Sequence, residues 1–199
     1  MRIYPAACCA DVNYLLSAFK IMEKIKITLR DFLKDADKIV FLAIGSELRG
    51  DDAAGIVIAN ELVKENLPDN FKVMLGYTAP ENLTGEIKKF APSHLIICDA
   101  ADSGLNPGEI SIISPDDIDG AAFSTHMMPM NIFINYISRD NPLKTLIIGI
   151  QPENLEFGTV MSESVKKMAF NLSKIIKLEV WKLGELGSLA MANGKESLY

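Results

Sequence analysis

Two adjacent aspartates that follow a glycine-containing loop are the first residues of this sequence that could do chemistry. Asp51 and Asp52 come directly after residues 45–50 (GSELRG), at the position where an amphipathic helix is predicted to begin. Carboxylates are favoured there because they accept hydrogen bonds from free backbone amides and interact well with the helix dipole. Helix capping is therefore one interpretation of the pair, and catalysis or metal binding is the other.

Two further candidates follow at other places in the chain. Asp99 closes the predicted strand 94–99, and His126 lies in a loop before a predicted helix. Ligands of open parallel sheets bind beyond the carboxyl ends of the strands, and the predicted topology directs Asp52, Asp99 and His126 towards that edge. Two carboxylates and one imidazole suit a borderline or hard divalent cation and leave positions for water or substrate. Each residue could instead satisfy a group in its own turn or loop.

The remaining histidine and the spacing of the acids narrow these alternatives. His94 precedes Asp99 by five residues on one strand, a separation of roughly 16 Å, so it is predicted at the opposite end of the sheet. Adjacent residues at a helix start point about 100° apart, which disfavours a proton shared between Asp51 and Asp52. A pair formed by Asp52 and Asp99 is geometrically more plausible, and Asp51 is then predicted to cap the helix.

Nucleotide binding is disfavoured by the same loop. Gly45 and Gly50 have the spacing of a phosphate-binding loop, but Asp51 and Asp52 stand where that motif needs Lys and Ser or Thr. Two carboxylates facing a polyphosphate would repel it. The dinucleotide-binding glycine pattern fails as well, because Ala43 and Leu48 replace two of its glycines.

Composition excludes several other classes of protein. The 199 residues carry 20 basic and 26 acidic side chains, a formal net charge of −6, and no Lys/Arg block, so nucleic acid or an anionic membrane is not expected as a partner. No apolar run approaches the ~18–20 residues that span a bilayer. Three cysteines without a paired spacing argue against a cysteine-based zinc site and predict a cytoplasmic protein.

Strands and helices are predicted to alternate along the chain. Strands are expected at 38–44, 71–77, 94–99, 109–113 and 143–150, and helices at 28–34, from the acidic pair to 67, at 78–90, from 125–129 to 138, and at 162–177. This order predicts a three-layer α/β/α sandwich with a mostly parallel, mixed twisted sheet, of the phosphorylase/hydrolase-like kind. We expect an N-terminal extension with a short helix (1–37), one α/β domain (38–180), and a tail (181–199) that is frayed from Gly184.

Five segments, taken together, resemble one family. These are residues 45–52 (GSELRGDD), 78–82 (TAPEN), 99–109 (DAADSGLNPGE), 124–126 (STH) and 149–153 (GIQPE). In order and spacing, from about residue 38 to 177, they are similar to the nickel–iron hydrogenase maturation endopeptidases, most of all the hydrogenase 3-type branch. The sequence departs from the family's usual residues at Ser46, Ala43 and Ala53, which concern the loop rather than the candidate ligands.

The resemblance implies both a site and a reaction. Asp52, Asp99 and His126 would contact a metal, with Asp52 and Asp99 as the catalytic acids of a metal-dependent, aspartic-type endopeptidase. The reaction would be a single cut that removes the C-terminal extension of a hydrogenase large-subunit precursor, and it would depend on nickel already loaded in that precursor. Another divalent ion could act as a surrogate. We expect the protein to be a monomer.

Two rival functions use the same three residues. A nickel carrier or maturation chaperone on this fold would bind the precursor and release it uncut. The lack of His-rich tracts or additional thiol ligands for storing metal disfavours that function. A metallohydrolase that acts on small molecules would be active without any nickel-loaded precursor.

Overall fold

A computed structural model describes residues 7–64, 66–115, 122–123 and 129–193, with side chains for 20–64, 66–115 and 129–184. Among the described residues, no helix has the length and apolar character needed to cross a membrane. The helices are α1 (Ala7–Leu33), α2 (Ala54–Leu62), α3 (Thr84–Phe90), α4 (Met130–Ser138) and α5 (Glu163–Asn193). The strands are β1 (Ile39–Ile44), β2 (Phe71–Tyr77), β3 (His94–Asp102), β4 (Ile110–Ile113), β5 (Ala122–Phe123) and β6 (Lys144–Ile150). Short 3₁₀ helices at Gly50–Ala53 and Pro80–Leu83 precede α2 and α3.

The sheet is mixed and mostly parallel, as predicted. Its strand order is β2-β1-β3-β6-β4, and β5 pairs with the end of β3. Strands β1, β2, β3 and β6 run parallel, whereas β4 is antiparallel to β6 at one edge. The predicted antiparallel edge strand is thereby confirmed.

Alternation along the central strands builds a core on each face of the sheet. In β1, Ile39 and Phe41 pack with α1, α2 and α5, while Val40 and Leu42 pack with α3 and α4. Every residue of β1 is buried, which is typical of a parallel strand covered on both faces. The structure therefore confirms the three-layer α/β/α arrangement.

The first and last helices are both longer than predicted. Thr28 was expected to begin a helix, but α1 already runs from Ala7, because Ile25, Leu29 and Leu33 form a stripe at helical spacing that packs in the core. The α5 helix likewise continues through Gly184 to Asn193, since Val180 is still buried in the same core. The expectations of a short first helix and of a tail frayed from Gly184 were wrong. The domain boundaries at 37 and 180 stay predictions.

Three other element boundaries also differ from the predictions. Strand β3 extends to Asp102 because Ala101 and Asp102 pair with β5, so Asp99 lies inside the strand rather than at its end. Helix α2 ends at Leu62, earlier than predicted. The helix predicted over 78–90 is divided into a 3₁₀ helix and α3, and Thr78 makes no capping hydrogen bond.

His94 lies at the amino end of the sheet, as predicted. It pairs with Ile39 and Lys144, the first residues of β1 and β6. The buried ring has its Nε2 3.4 Å from Asp35 Oδ1 and lies edge-on to Phe32. Burial lowers the pKa of His94 against the opposing effect of Asp35.

This pKa shift predicts a pH dependence of stability. The folded protein holds His94 neutral, whereas the unfolded chain protonates it near its ordinary pKa of 6.5. The unfolded state then binds more protons, so the contribution of His94 is fully present above that value and is lost as the pH falls through it. We expect the free energy of unfolding in urea to fall from pH 7 to pH 5 more steeply in the wild type than in His94→Gln. Equal slopes would contradict this account.

Candidate active site

Two of the three candidate ligands lie at the carboxyl edge of the sheet. Asp52 belongs to the 3₁₀ helix Gly50–Ala53 that follows β1, and Asp99 lies in β3, the neighbouring strand. The 3₁₀ helix contacts β3. Both aspartates are almost completely buried, with 2% and 0% of their surface exposed. The fold therefore brings two buried carboxylates to one edge.

Close backbone packing fixes the start of α2 above the two central strands. A Cβ atom on Gly55 would lie 2.4 Å from the carbonyl oxygen of Cys98 and 2.7 Å from that of Ile44. Any larger residue would push the helix away from β1 and β3. Gly55 follows Asp52 by three residues, and Cys98 directly precedes Asp99. The contact between Gly55 and the backbone of Cys98 therefore keeps the main-chain segments of the two candidate ligands close together.

The loop before Asp52 also requires a glycine. Gly45 has φ +128°, a conformation that side chains rarely adopt, and a Cβ atom there would lie 1.8 Å from the carbonyl oxygen of Asp52. The amide of Gly45 donates to the carbonyl of Tyr77 in β2. The loop therefore packs directly against the backbone of Asp52. This contact fixes the position of the Asp52 main chain, from which the carboxylate extends.

The Asp52 carboxylate has one oxygen without a partner in the described part of the chain. Its Oδ1 atom is buried and accepts no hydrogen bond there. A buried oxygen left unsatisfied costs free energy, and such atoms are few in native proteins. Among the described residues, this oxygen is therefore available to a cation, a water or a substrate.

Asp99 is held by its own strand. Its Oδ1 accepts a hydrogen bond of 2.8 Å from the amide of Ala100. Cys98 points to the face covered by α1, α2 and α5, so strand alternation places Asp99 on the face covered by α3 and α4. Burial and the charge of Asp99 raise the pKa of the Cys98 thiol, which excludes this cysteine as a thiolate nucleophile.

His126, the third candidate, lies outside the described residues. The described chain on either side of it comprises Phe123, which pairs with Ala101 in β3, and Met130, the first residue of α4. Within residues 7–64, 66–115, 122–123 and 129–193, no three His, Cys, Asp or Glu side chains are grouped as a metal site. The assignment of Asp52, Asp99 and His126 as a ligand set stays a prediction.

Asp51 connects two loops instead of capping its own helix. It is fully buried, and its carboxylate accepts hydrogen bonds from the amides of Glu153 (2.8 Å), Asn154 (3.0 Å) and Ser162 (2.7 Å) and from the Ser162 hydroxyl (3.0 Å). The 3₁₀ helix at Gly50 has no side-chain capping bond. The predicted cap was wrong because these donors come from a distant segment that local sequence does not reveal.

Gln151 lies in the segment 149–153 that carried the family resemblance, but its contacts were not predicted from the sequence. Its Oε1 accepts hydrogen bonds from the amides of Ser103 (2.8 Å) and Leu105 (3.1 Å), and its Nε2 donates to Asp102 Oδ1 (3.1 Å). The side chain therefore braces the loop after β3 against the end of β6. A buried glutamine directly after an apolar strand was the available signal.

Comparison with known proteins agrees with this architecture. Residues 56–178 match the family model described as hydrogenase maturation protease. The hydrogenase 3 maturation protease of Escherichia coli K12 is 37% identical over 144 residues, which cover 72% of this chain and 90% of that protein. A putative hydrogenase maturation protease of Methanocaldococcus jannaschii is 34% identical over 165 residues, covering 77% of this chain and 96% of its own.

Solved structures give the same result. The crystal structure of HycI, a nickel–iron hydrogenase maturation protease from Thermococcus kodakarensis, superposes with a TM-score of 0.72 at 30% identity and covers 77% of this chain and 98% of its own. The solution structure of the endopeptidase HycI from Escherichia coli superposes with a TM-score of 0.64 at 36% identity, covering 73% of this chain and 92% of its own. From the matched segment, the identities and the shared fold, this chain belongs to the hydrogenase maturation protease family.

Proposed function

We propose that this protein is an endopeptidase that removes the C-terminal extension of a nickel-loaded hydrogenase large-subunit precursor. The observation that carries the proposal is the buried Oδ1 of Asp52, which has no partner among the described residues and lies at the same edge as Asp99. Family membership supports peptide-bond hydrolysis, and the relatives' names support a precursor of a hydrogenase as the substrate. The nickel arrives as part of that substrate.

The chemistry of the donors supports contact with a cation. Among the described residues, Asp52 has no ion-pair partner, and a buried carboxylate without a counter-charge is costly. A divalent ion presented by the precursor would supply that charge, with Asp52, Asp99 and His126 as its contacts in this chain. His126 follows Phe123 by three residues, a length of chain that spans at most ~11 Å, and Phe123 is paired with Ala101.

The carboxylates supply the proton transfers that hydrolysis needs. One of them accepts a proton from the attacking water and returns it to the leaving amine as the C–N bond breaks. The precursor's metal would polarise the scissile carbonyl. Because the described residues supply no counter-charge at Asp52, we expect the resting protein to be inert towards peptides that bring no metal.

Conservative substitution of the three candidate ligands tests the proposal. We expect Asp52→Asn and Asp99→Asn to lower the rate of precursor processing at least ~100-fold, because general acid–base catalysis commonly contributes that much. His126→Gln should also lower it. Asp102→Asn is the matched control, since Asp102 is an exposed acid at the same edge and an asparagine can still accept the hydrogen bond from Gln151.

The assay uses nickel-loaded and nickel-free precursor, with a gel shift and mass spectrometry of the released peptide. Full activity in the three ligand variants would overturn the ligand assignment. A wild type that binds the nickel-loaded precursor without releasing a peptide would instead identify a carrier. Cleavage of small substrates in the absence of precursor would identify a general hydrolase.

The same substitution at the two adjacent aspartates should change the stability of the protein by different amounts. Asp51→Asn places an NH₂ group among backbone donors in a buried site, and we expect a loss of roughly 3 kcal/mol in the free energy of unfolding. Asp52→Asn should keep that free energy at or above the wild-type value, because Oδ1 has no hydrogen bond in the described structure to lose and the substitution removes a buried charge. Urea denaturation of both variants measures the difference, and equal losses would contradict the distinction between them.

A further inference from the structure

The three most exposed large apolar side chains in the described part of the protein lie beside the candidate active site. Val160, Phe157 and Leu48 are 88%, 76% and 61% exposed. We call these three residues the apolar patch. Single exposed apolar residues are common, but a group of them marks an interaction surface.

Hydrogen bonds connect the patch to the loop that carries Asp52. The amide of Gly158 donates to the carbonyl of Leu48 (2.8 Å), which joins the segment after β6 to the loop after β1. The amide of Asp51 donates to the carbonyl of Asn154 (2.9 Å), next to Asp52. The patch and the candidate catalytic carboxylate therefore belong to one hydrogen-bonded pair of loops.

A groove extends from the patch along α2 and α5. It has a volume of about 850 Å³, and its lining combines apolar side chains such as Val57, Val160, Met161 and Phe170 with polar and charged ones. A groove of this volume could hold more than a single side chain.

The charge of this end of the protein defines the chemistry of the occupant. Four loops at the carboxyl edge contain eight acidic residues and a single basic one, Arg49. Three of the acids and Arg49 are in 45–53, one acid is in 78–83, two are in 102–109 and two are in 151–162. The loops at the opposite end, 34–38, 63–70 and 139–143, mix both signs. Glu47 and Glu156 flank the patch and form no salt bridge among the described residues. Such a surface attracts and orients a basic partner.

The lysines of the groove do not cancel this field. Lys64 pairs with Glu61, and Lys166 lies 3.8 Å from Glu163. Each of these lysines is thus matched by an acid on its own helix or directly beside it. Glu47 and Glu156, beside the patch, have no such partner among the described residues.

We propose that the apolar patch and its groove dock a segment of the precursor that carries apolar side chains flanked by basic ones. This inference rests on the proposed function, since the precursor is the substrate named there. Docking beside Asp52 would deliver the scissile bond to the carboxylates and would supply selectivity that two acids alone cannot provide.

The apolar part of the proposal is tested by Phe157→Ser combined with Val160→Ser. Both side chains are exposed, so the fold should tolerate the change. We expect KM for the nickel-loaded precursor to rise about tenfold or more while turnover at saturation stays within about twofold. The control is Leu178→Ser, which also replaces an apolar side chain by serine. Leu178 is 46% exposed and lies about 22 Å along α5 from the start of that helix.

The charge part is tested by Glu47→Lys combined with Glu156→Lys, with Asp69→Lys as the control at the opposite end of the sheet. The double variant should slow association with the precursor about tenfold at low salt, and the difference should shrink as salt is added. Asp69→Lys should associate at the wild-type rate.

Binding measured without turnover separates this inference from the proposed function. In an Asp52→Asn background, fluorescence anisotropy should show the weaker precursor affinity of the patch variants although no peptide is released. Wild-type KM and affinity in those variants would overturn the docking surface and leave the endopeptidase intact. A wild-type dimer that the patch variants dissociate, with unchanged precursor affinity, would assign the patch to self-association and also overturn the proposal.

Discussion

The carboxylate of Asp51 is the interaction on which the site depends. It accepts hydrogen bonds from two segments of the chain that lie more than 100 residues away in sequence, at Glu153–Asn154 and at Ser162. By doing so it fastens the loop after β1 to the connection between β6 and α5. Four hydrogen bonds satisfy a charge that would otherwise be costly to bury. That connection sets the position of Asp52 and brings Phe157 and Val160 beside Leu48.

Two neighbouring residues of the same type thus do different work. The carboxylate of Asp51 accepts four hydrogen bonds from within the protein, whereas the buried Oδ1 of Asp52 accepts none from the described chain. A buried oxygen without a hydrogen bond lowers the stability of the folded protein. Such atoms are therefore rare, and those that occur are found mainly at functional or strained sites. Gln151 performs the same bracing function for the loop after β3. In the candidate site, the hydrogen-bonded side chains of Asp51 and Gln151 therefore hold the loops around the carboxylate of Asp52, whose Oδ1 has no partner in the described chain.

The sequence predicted the sheet well because its strands are continuous apolar runs whose burial on both faces leaves little ambiguity. It also located Asp52 and Asp99 at the carboxyl edge, since topology alone determines that edge. It failed where long-range contacts decide the outcome. The hydrogen bonds of Asp51 and Gln151 come from remote segments, the pairing of β5 extends β3 past Asp99, and packing between α1 and α5 lengthens both helices. Such contacts override local signals such as the one that predicted a helix beginning at Thr28.

The central claim is that Asp52 and Asp99 present their carboxylates to a divalent cation. Crystals of the wild type soaked in cadmium or nickel, with anomalous difference maps, test this without any precursor. We expect a peak contacted by oxygens of both Asp52 and Asp99 that is absent from Asp52→Asn crystals. Cations that occupy other sites at saturation and leave no density between these two carboxylates would contradict it.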